Sequence, residues 1–326
     1  MALGEFELIA KYFTRPAYRA VLGVGDDCAL LAPTPGMEIA VSTDTLVEGR
    51  HFLTTVAPDR LGHKALAVNL SDLAACGAQP LAFTLAITLP QVDEAFLSGF
   101  ARGLFALAEA EQIELVGGDT TAGPLSITIT VLGEVPAGQA LRRDGARAGD
   151  QIWVSHRPDA GLGDARLALE VMRGNAVIAA TDLDRVRMAM EMPQSRLALG
   201  QRLRGIAASA IDLSDGLIGD LGHVLERSAV GASIRLDSLP RSAALAAQPI
   251  ELQLECLLYG GDDYELLFTA PPQRAQVVRE AARRAGVAVT PIGVIESQHR
   301  LQVLDASNRV LPIRQVGFDH FKVAQA

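Results

Sequence analysis

No uninterrupted apolar run in this sequence approaches the roughly 18 residues that a membrane span requires, so no transmembrane helix is expected. The N-terminus lacks the basic start and apolar core of a signal peptide, because Glu5 and Glu7 precede the first base, Lys11. A cytoplasmic protein is the expectation. Cysteine is scarce: Cys28, Cys76 and Cys256 are far apart, form no C-x-x-C pair and cannot all be paired. That argues against a disulfide framework and a zinc site, and predicts three small buried hydrophobes. Basic runs are missing too, aromatics make up 5% of the chain, and the formal charge is −9. Nucleic acid and anionic membranes are therefore poor partners, and a small anionic substrate fits only where cations mediate its binding.

Familiar catalytic templates are also absent. There is no G-x-x-x-x-G-K-[ST] phosphate loop, no G-x-S-x-G elbow and no H-E-x-x-H, and Gly161-Leu-Gly163-Asp-Ala-Arg166 lacks the third glycine of a dinucleotide fingerprint. An ATP site in this chain has to work through acids and metals.

What is present suits two domains: 326 residues, 49% of them hydrophobic, can bury a core in each half. Spacing predicts helices over residues 5–13, 58–75, 93–111, 216–225 and 272–285, with several more between 162 and 203. Strands are predicted over 39–41, 81–89, 113–116, 125–135, 151–155, 208–213 and 287–295. A Pro, Gly, Ala and Arg-rich stretch from 136 to 150 marks the boundary, giving domains 1–137 and 148–326 and a linker at 138–147. Alternating strands and helices in both halves predict an α/β architecture, or α+β with mixed sheets.

The stretch from Ile39 to Phe52 is the most informative. Its short apolar strand runs into Ser42, Thr43 and Asp44, so hydroxyls and a carboxylate are expected to emerge where the strand ends, and His51 follows one loop later. A hydroxyl beside a carboxylate is the hard-oxygen pair that Mg²⁺ prefers; alone, the same run reads as a helix N-cap or an Asx-turn. The design recurs. Asp26, Asp27, Asp72, Asp119, Asp212, Asp215, Asp262 and Asp263 each sit in a Gly-, Ser- or Thr-containing turn or at a predicted element end. Gathered carboxylates repel one another unless something positive lies between them, and divalent cations are the ordinary solution. Glycines at 23, 25, 117, 118, 260 and 261 allow tight turns and close approach of a phosphate or metal to backbone N–H groups. The set points to a multi-Mg²⁺ nucleotide site.

Taken together, residues 23–31 (Gly-Val-Gly-Asp-Asp-Cys-Ala-Leu-Leu), 42–52, 64–75, 117–121 (Gly-Gly-Asp-Thr-Thr), 211–217 (Ile-Asp-Leu-Ser-Asp-Gly-Leu) and 317–321 (Gly-Phe-Asp-His-Phe) resemble the thiamine-monophosphate kinase family. The resemblance runs in order along nearly the whole chain. It implies the two-domain fold of aminoimidazole ribonucleotide synthetase, with an N-terminal ATP- and Mg-binding domain that also dimerises and a C-terminal domain that completes the active site. Carried over by position, Asp27, Ser42, Thr43, Asp44, Asp72, Asp119, Asp212 and Asp215 resemble the Mg²⁺ ligands. Gly118, Asp119, Arg143 and Ser214 resemble ATP contacts, and His51, Asp262 and Phe318 resemble contacts to thiamine monophosphate. Two departures stand out: Asp262 replaces the family's usual Glu, and Ser155-His-Arg-Pro-Asp159 replaces a Thr-Gly turn. No role is assigned to His156. On the residues alone, His51 reads equally as a capping loop histidine, Phe318 as a tail contact and Arg143 as a solvated linker arginine.

The implied reaction is the last step of thiamine diphosphate biosynthesis, transfer of the ATP γ-phosphoryl group to thiamine monophosphate, by a homodimer using several Mg²⁺ ions. Asp44, Asp72, Asp119 and Asp212 form the expected catalytic core, acting through metal in a direct in-line transfer. A sister ATP-dependent synthetase of the same fold is the alternative. Asp44→Asn is expected to lower turnover by on the order of 10²-fold, as for loss of one preorganised electrostatic stabiliser, measured as steady-state ADP formation. Near-normal turnover with unchanged Mg²⁺ dependence would remove Asp44 from the metal site.

Overall fold

In the computed structural model, which describes residues 3–314, the chain divides into two compact units. One is Met1–Leu73 with Ala78–Ala140, and the other is Ala74–Gly77 with Leu141–Ala326.

In the first unit a short helix α1 (Glu5–Leu8) passes into a π-helical turn over Ile9–Phe13. There follow β1 (Met37–Val47), α2 (Pro58–Ala75), β2 (Gln79–Leu89), α3 (Glu94–Ala110), β3 (Glu114–Ala122) and β4 (Ser126–Pro136). Pro58 opens α2, where its missing N–H costs nothing, and Asp59 puts a carboxylate in the first turn. The Asp93 side chain caps α3 by accepting the N–H groups of Ala95 and Phe96. The strands form one sheet in the order β1-β4-β2-β3, antiparallel except for β2 with β3. Alternation decides its faces: Ile127, Ile129 and Val131 of β4 are buried with Leu61, Leu66 and Leu70 of α2 and Leu97, Phe100 and Leu104 of α3. Gly62 and Gly103 let the two helix backbones touch, since a Cβ on either would lie about 2 Å from a carbonyl oxygen of the other helix, Phe100 O at 2.1 Å and Asp59 O at 1.8 Å. Glu114 fastens the N-terminal segment, its carboxylate accepting the backbone N–H groups of Tyr18, Arg19 and Ala20 at 2.8–3.2 Å.

The register corrects one expectation. Ser42, Thr43 and Asp44 do not follow the end of a strand; they lie in the middle of β1, paired with Val131, Thr130 and Ile129. Gly117, Gly118 and Asp119 likewise lie within β3, beyond a bulge opposite Phe83 and Thr84 of β2. The polar run continues as strand because β-branched Thr43, Thr45 and Val47 fit the pleat and β4 offers Thr130 and Thr128 opposite the two threonines.

The second unit comprises β5 (Gln151–His156), α4 (Asp164–Met172), α5 (Ala180–Glu191), α6 (Leu197–Leu203), β6 (Ser209–Asp212), α7 (Leu217–Ser228) and β7 (Gly231–Arg235). After these come α8 (Ala243–Ala246), α9 (Ile250–Leu254), β8 (Leu266–Ala270), α10 (Ala275–Ala285), β9 (Ala288–Glu296), β10 (Leu301–Leu304) and β11 (Val310–Leu311). The sheet order is β11-β10-β7-β9-β5-β8-β6, with β10 and β7 the parallel neighbours. Both units therefore carry mixed sheets. The cysteines are free, but only Cys256 is buried; Cys76 is half-buried and Cys28 is exposed in the Gly/Asp turn, so the expectation of three buried thiols holds for one.

A buried ion pair crosses the second core. Glu265 receives the Arg196 guanidinium at both oxygens, Nε at 2.6 Å and Nη2 beside it, together with the Ser155 hydroxyl. Removing one partner strands the other charge, so Glu265→Leu is expected to cost about 3–5 kcal/mol in urea unfolding. The double variant Arg196→Met with Glu265→Leu should recover most of that loss. Equal destabilisation of the single and double variants would show that packing, not charge, is what the site requires.

Candidate functional site

The pleat sorts the acids of the first unit. Residues opposite one another in a sheet share a face, so Ser42, Asp44 and Leu46 lie on the face of Val131, Ile129 and Ile127, towards the helices. Here the edge strand meets α2. Ser42 Oγ donates to Asp72 Oδ2 at 2.6 Å, and Asn69 Oδ1 accepts the Asp44 backbone N–H at 3.0 Å. Ser42, Asp44 and Asp72 are thus brought to one polar seam, all partly accessible.

Thr43 takes the other face, where its hydroxyl pairs with that of Thr130 at 2.9 Å, and Thr45 pairs with Thr128 at 2.8 Å. Asp119 belongs to the same side, in the cross-sheet row Thr45, Thr128, Ala86, Asp119. The first unit therefore does not bring the side chains of Thr43 and Asp119 together with Ser42, Asp44 and Asp72. Gly118 explains how Asp119 gets there: its φ is +154° and a Cβ would meet Leu85 O at 1.8 Å, so only glycine allows β3 to lie this close to β2. Asp26 and Asp27 are exposed in their turn, Asp26 Oδ1 accepting the Asp27 N–H. His51 closes the loop after β1. Its Nδ1 accepts the Val47 N–H at 3.0 Å, which assigns the neutral ring to the Nε2–H tautomer.

In the second unit Asp212 ends β6 and is buried, as the strand-end reading expected. The loop after it carries Ser214 and Asp215, both half-buried, and is held by Asp220 of α7, whose Oδ2 accepts their backbone N–H groups at 3.0 and 3.1 Å. Burial, and then the charge of Asp215, push the Asp220 carboxyl up to about 7 against those two donors. Against this loop lies the one carrying Asp262: Asp262 N–H donates to Ser214 O at 3.0 Å and Tyr264 N–H to Leu213 O at 2.8 Å. Asp262 and Tyr264 hold left-handed backbones, φ +73° and +49°. Arg143, exposed, shares a cavity of about 640 Å³ with His223, Glu226 and Arg227 of α7. The Ser228 hydroxyl fixes the Arg143 segment by donating to Arg143 O. His156 is engaged within the fold, Nε2 with Thr290 Oγ1 at 2.9 Å and Nδ1 with Arg157 O. Phe318 lies outside the described residues.

Residues 25–135 match the family of AIR synthase related protein, N-terminal domain, and residues 147–306 the corresponding C-terminal domain. Along the chain, the thiamine-monophosphate kinases of Escherichia coli (strain K12) and Salmonella typhimurium LT2 are 46% and 44% identical, each alignment covering 98% of this chain and 99% of the relative. The chain belongs to the thiamine-monophosphate kinase family. A crystal structure of the Stenotrophomonas maltophilia enzyme of that name superposes with a TM-score of 0.82 at 42% identity, covering 91% of this chain and 94% of that one. AaThiL complexed with AMPPCP and TMP superposes with a TM-score of 0.76 at 29% identity, covering 89% of each chain. The AIR synthase-like fold is wider than the family, since hydrogenase maturation protein HypE shares it with a TM-score of 0.78 at 21% identity.

For this family member the sequence reading passed over several polar residues that the fold buries, among them Lys64, Asn69, Ser71 and Asp220. Ser71 Oγ has no hydrogen-bond partner, and Asn69 Nδ2 donates to Ala65 O. α2 is buried nearly all round, so Lys64, Asn69 and Ser71 within it have no solvent face to occupy.

Asp263, beside the left-handed Asp262, accepts the Gly163 N–H at 2.9 Å. Burial, reinforced by Glu265, Asp164 and Asp262, raises its carboxyl well above the ordinary carboxylate range. A raised folded pKa contributes stability that is complete below the unfolded value, near 3.9, and is lost as pH rises through the folded value. Between pH 4 and 8 the Asp263→Asn variant should therefore gain on the wild type with rising pH, by on the order of 1 kcal/mol or more in urea unfolding. A pH-independent difference would remove Asp263 from the titration.

Proposed function

We propose that this protein transfers the γ-phosphoryl group of ATP to the phosphate of thiamine monophosphate, giving thiamine diphosphate and ADP. The observation that carries the reading is identity of 44–46% with thiamine-monophosphate kinases over 98% of the chain. The complex of a 29% identical relative with AMPPCP, an ATP analogue, and TMP supports it.

The chemistry asks little of a base. A phosphate monoester has its second pKa near 6, so the attacking oxygen is largely deprotonated at neutral pH. The work is to hold two polyanions in line and to offset the charge of the transferring group. Asp27, Ser42, Thr43, Asp44, Asp72, Asp119, Asp212 and Asp215 offer only hard oxygen donors, a set that fits Mg²⁺. Among the described residues no group of three or more His, Cys, Asp or Glu is gathered tightly enough to hold a metal. Several Mg²⁺ ions bound by that set would neutralise phosphate charge during transfer. Gly118, Asp119, Arg143 and Ser214 are the nucleotide contacts in this reading, Arg143 supplying a fixed cation, and His51 and Asp262 face thiamine monophosphate.

A homodimer fits the open face of the first sheet. There β1 exposes Ile39 (40%), Val41 (61%) and Val47 (39%) on the same side as Thr43 and Thr45, an apolar edge that a second copy would cover. A cytoplasmic location accords with a described chain in which no helix is long and apolar enough to cross a membrane.

The assay is steady-state turnover with MgATP and thiamine monophosphate, with thiamine diphosphate separated by chromatography. Stoichiometric thiamine diphosphate and ADP, abolished by EDTA, is the expected result. ATP consumption with another acceptor and none with thiamine monophosphate would move the function to a sister enzyme of the fold.

A further inference from the structure

Asp220 is not itself among the residues proposed to meet substrate, yet two of the loops that carry them depend on where its carboxylate sits. A single oxygen, Oδ2, collects the N–H groups of Ser214 and Asp215, consecutive residues of the loop between β6 and α7. The residue is 2% exposed. The far side of that loop is stitched to the Asp262 loop through Ser214 O and Leu213 O, which accept the N–H groups of Asp262 and Tyr264, and through Leu213 N–H, which donates to Glu265 O at 2.8 Å. The two loops are in backbone contact: a Cβ at Gly261 would lie 2.1 Å from Ser214 O. Ser214 O, by receiving the Asp262 N–H, helps to hold the left-handed backbone of Asp262.

We propose that Asp220 is a positioning residue that locks the Asp212–Gly216 loop and, through Ser214, the Asp262 loop, so that one buried acceptor sets both the nucleotide and metal contacts and the acceptor-substrate contact. The proposal rests on the roles given above to Asp212, Ser214, Asp215 and Asp262. Because one oxygen takes both bonds, an amide oxygen in the same place can do the same. Charge is not what the lock needs; an acceptor at that point is.

Substitutions separate this from a direct role for the carboxylate. Asp220→Asn should keep kcat/KM for both substrates and the Mg²⁺ half-saturation within about threefold of wild type, since a neutral acceptor replaces a charged one. Asp220→Ala should lower kcat/KM for ATP and for thiamine monophosphate together by on the order of 10²-fold, the scale of a 1 Å misplacement, and should raise the Mg²⁺ half-saturation. A thermal midpoint close to wild type would show that the loss is not unfolding. Loss in Asp220→Asn as large as in Asp220→Ala, or wild-type kinetics in Asp220→Ala, would overturn the proposal. If Asp220→Ala does not fold, hydrogen exchange of the wild type without ligand decides. Strong protection of the Ser214 and Asp215 amides, retained in Asp220→Asn, is expected, and rapid exchange there would overturn the lock. This arm does not depend on which substrate the wild type turns over, so a failed thiamine monophosphate assay and a failed lock are distinguishable.

Discussion

A carboxylate that leaves water must be met by donors, and this chain uses that requirement to hang its loops. Glu114 gathers three consecutive N–H groups at residues 18–20. Glu134, 2% exposed, takes the N–H and hydroxyl of Thr34, Asp263 takes the N–H of Gly163, and Asp220 takes those of Ser214 and Asp215. Each backbone N–H bound in this way is a group that a loop would otherwise expose or orphan. A chain with formal charge −9 can therefore carry many acids without simple self-repulsion, because several are committed to backbone donors before any cation arrives.

That commitment also sorts the acids by role. Asp220 and Glu114 are consumed by the fold. Among the acids proposed to meet metal or phosphate, Asp27 and Asp119 are exposed and Asp44, Asp72 and Asp215 are half-buried, whereas Asp212 is buried at the end of β6. Asp72 illustrates the intermediate case: one oxygen receives the Ser42 hydroxyl, which orients the carboxylate across the edge of the sheet. A carboxylate oriented in this way loses less freedom when it binds a cation than one on a mobile loop.

Most of the element pattern was legible because its signals are local. Pro58, Asp93 and the turn after Leu89 mark boundaries of α2, α3 and β2 by backbone chemistry that needs no partner. β1 was cut short because Ser-Thr-Asp-Thr reads locally as a turn, whereas the threonine ladder with β4 joins residues 83 to 87 apart and is invisible without the pairing. The short strands β7, β8, β10 and β11 escaped for the same reason. In the site, the acids in Gly- and Ser-rich runs stood out as a set, but the face each takes depends on register. Sequence neighbours Thr43 and Asp44 therefore end on opposite sides of one sheet. Asp220 gave no signal at all, since an acid in the first turn of α7 is ordinary helix chemistry until its two loop donors are seen.

The same sorting bears on how the proposed metal ions would be held. A preformed cage of carboxylates would be costly in the absence of its ion, because each added charge raises the pKa of the others and favours protonation over metal. Distributed acids avoid this cost. On the proposed reading, ions bound through these acids would have their coordination completed by phosphate oxygens. Mg²⁺ suits such a site, since it binds readily through one or two carboxylates plus substrate phosphates and keeps the remaining waters. Metal affinity in the free protein should then be weak and should strengthen when nucleotide is present, a coupling that follows from shared ligands and needs no change of fold.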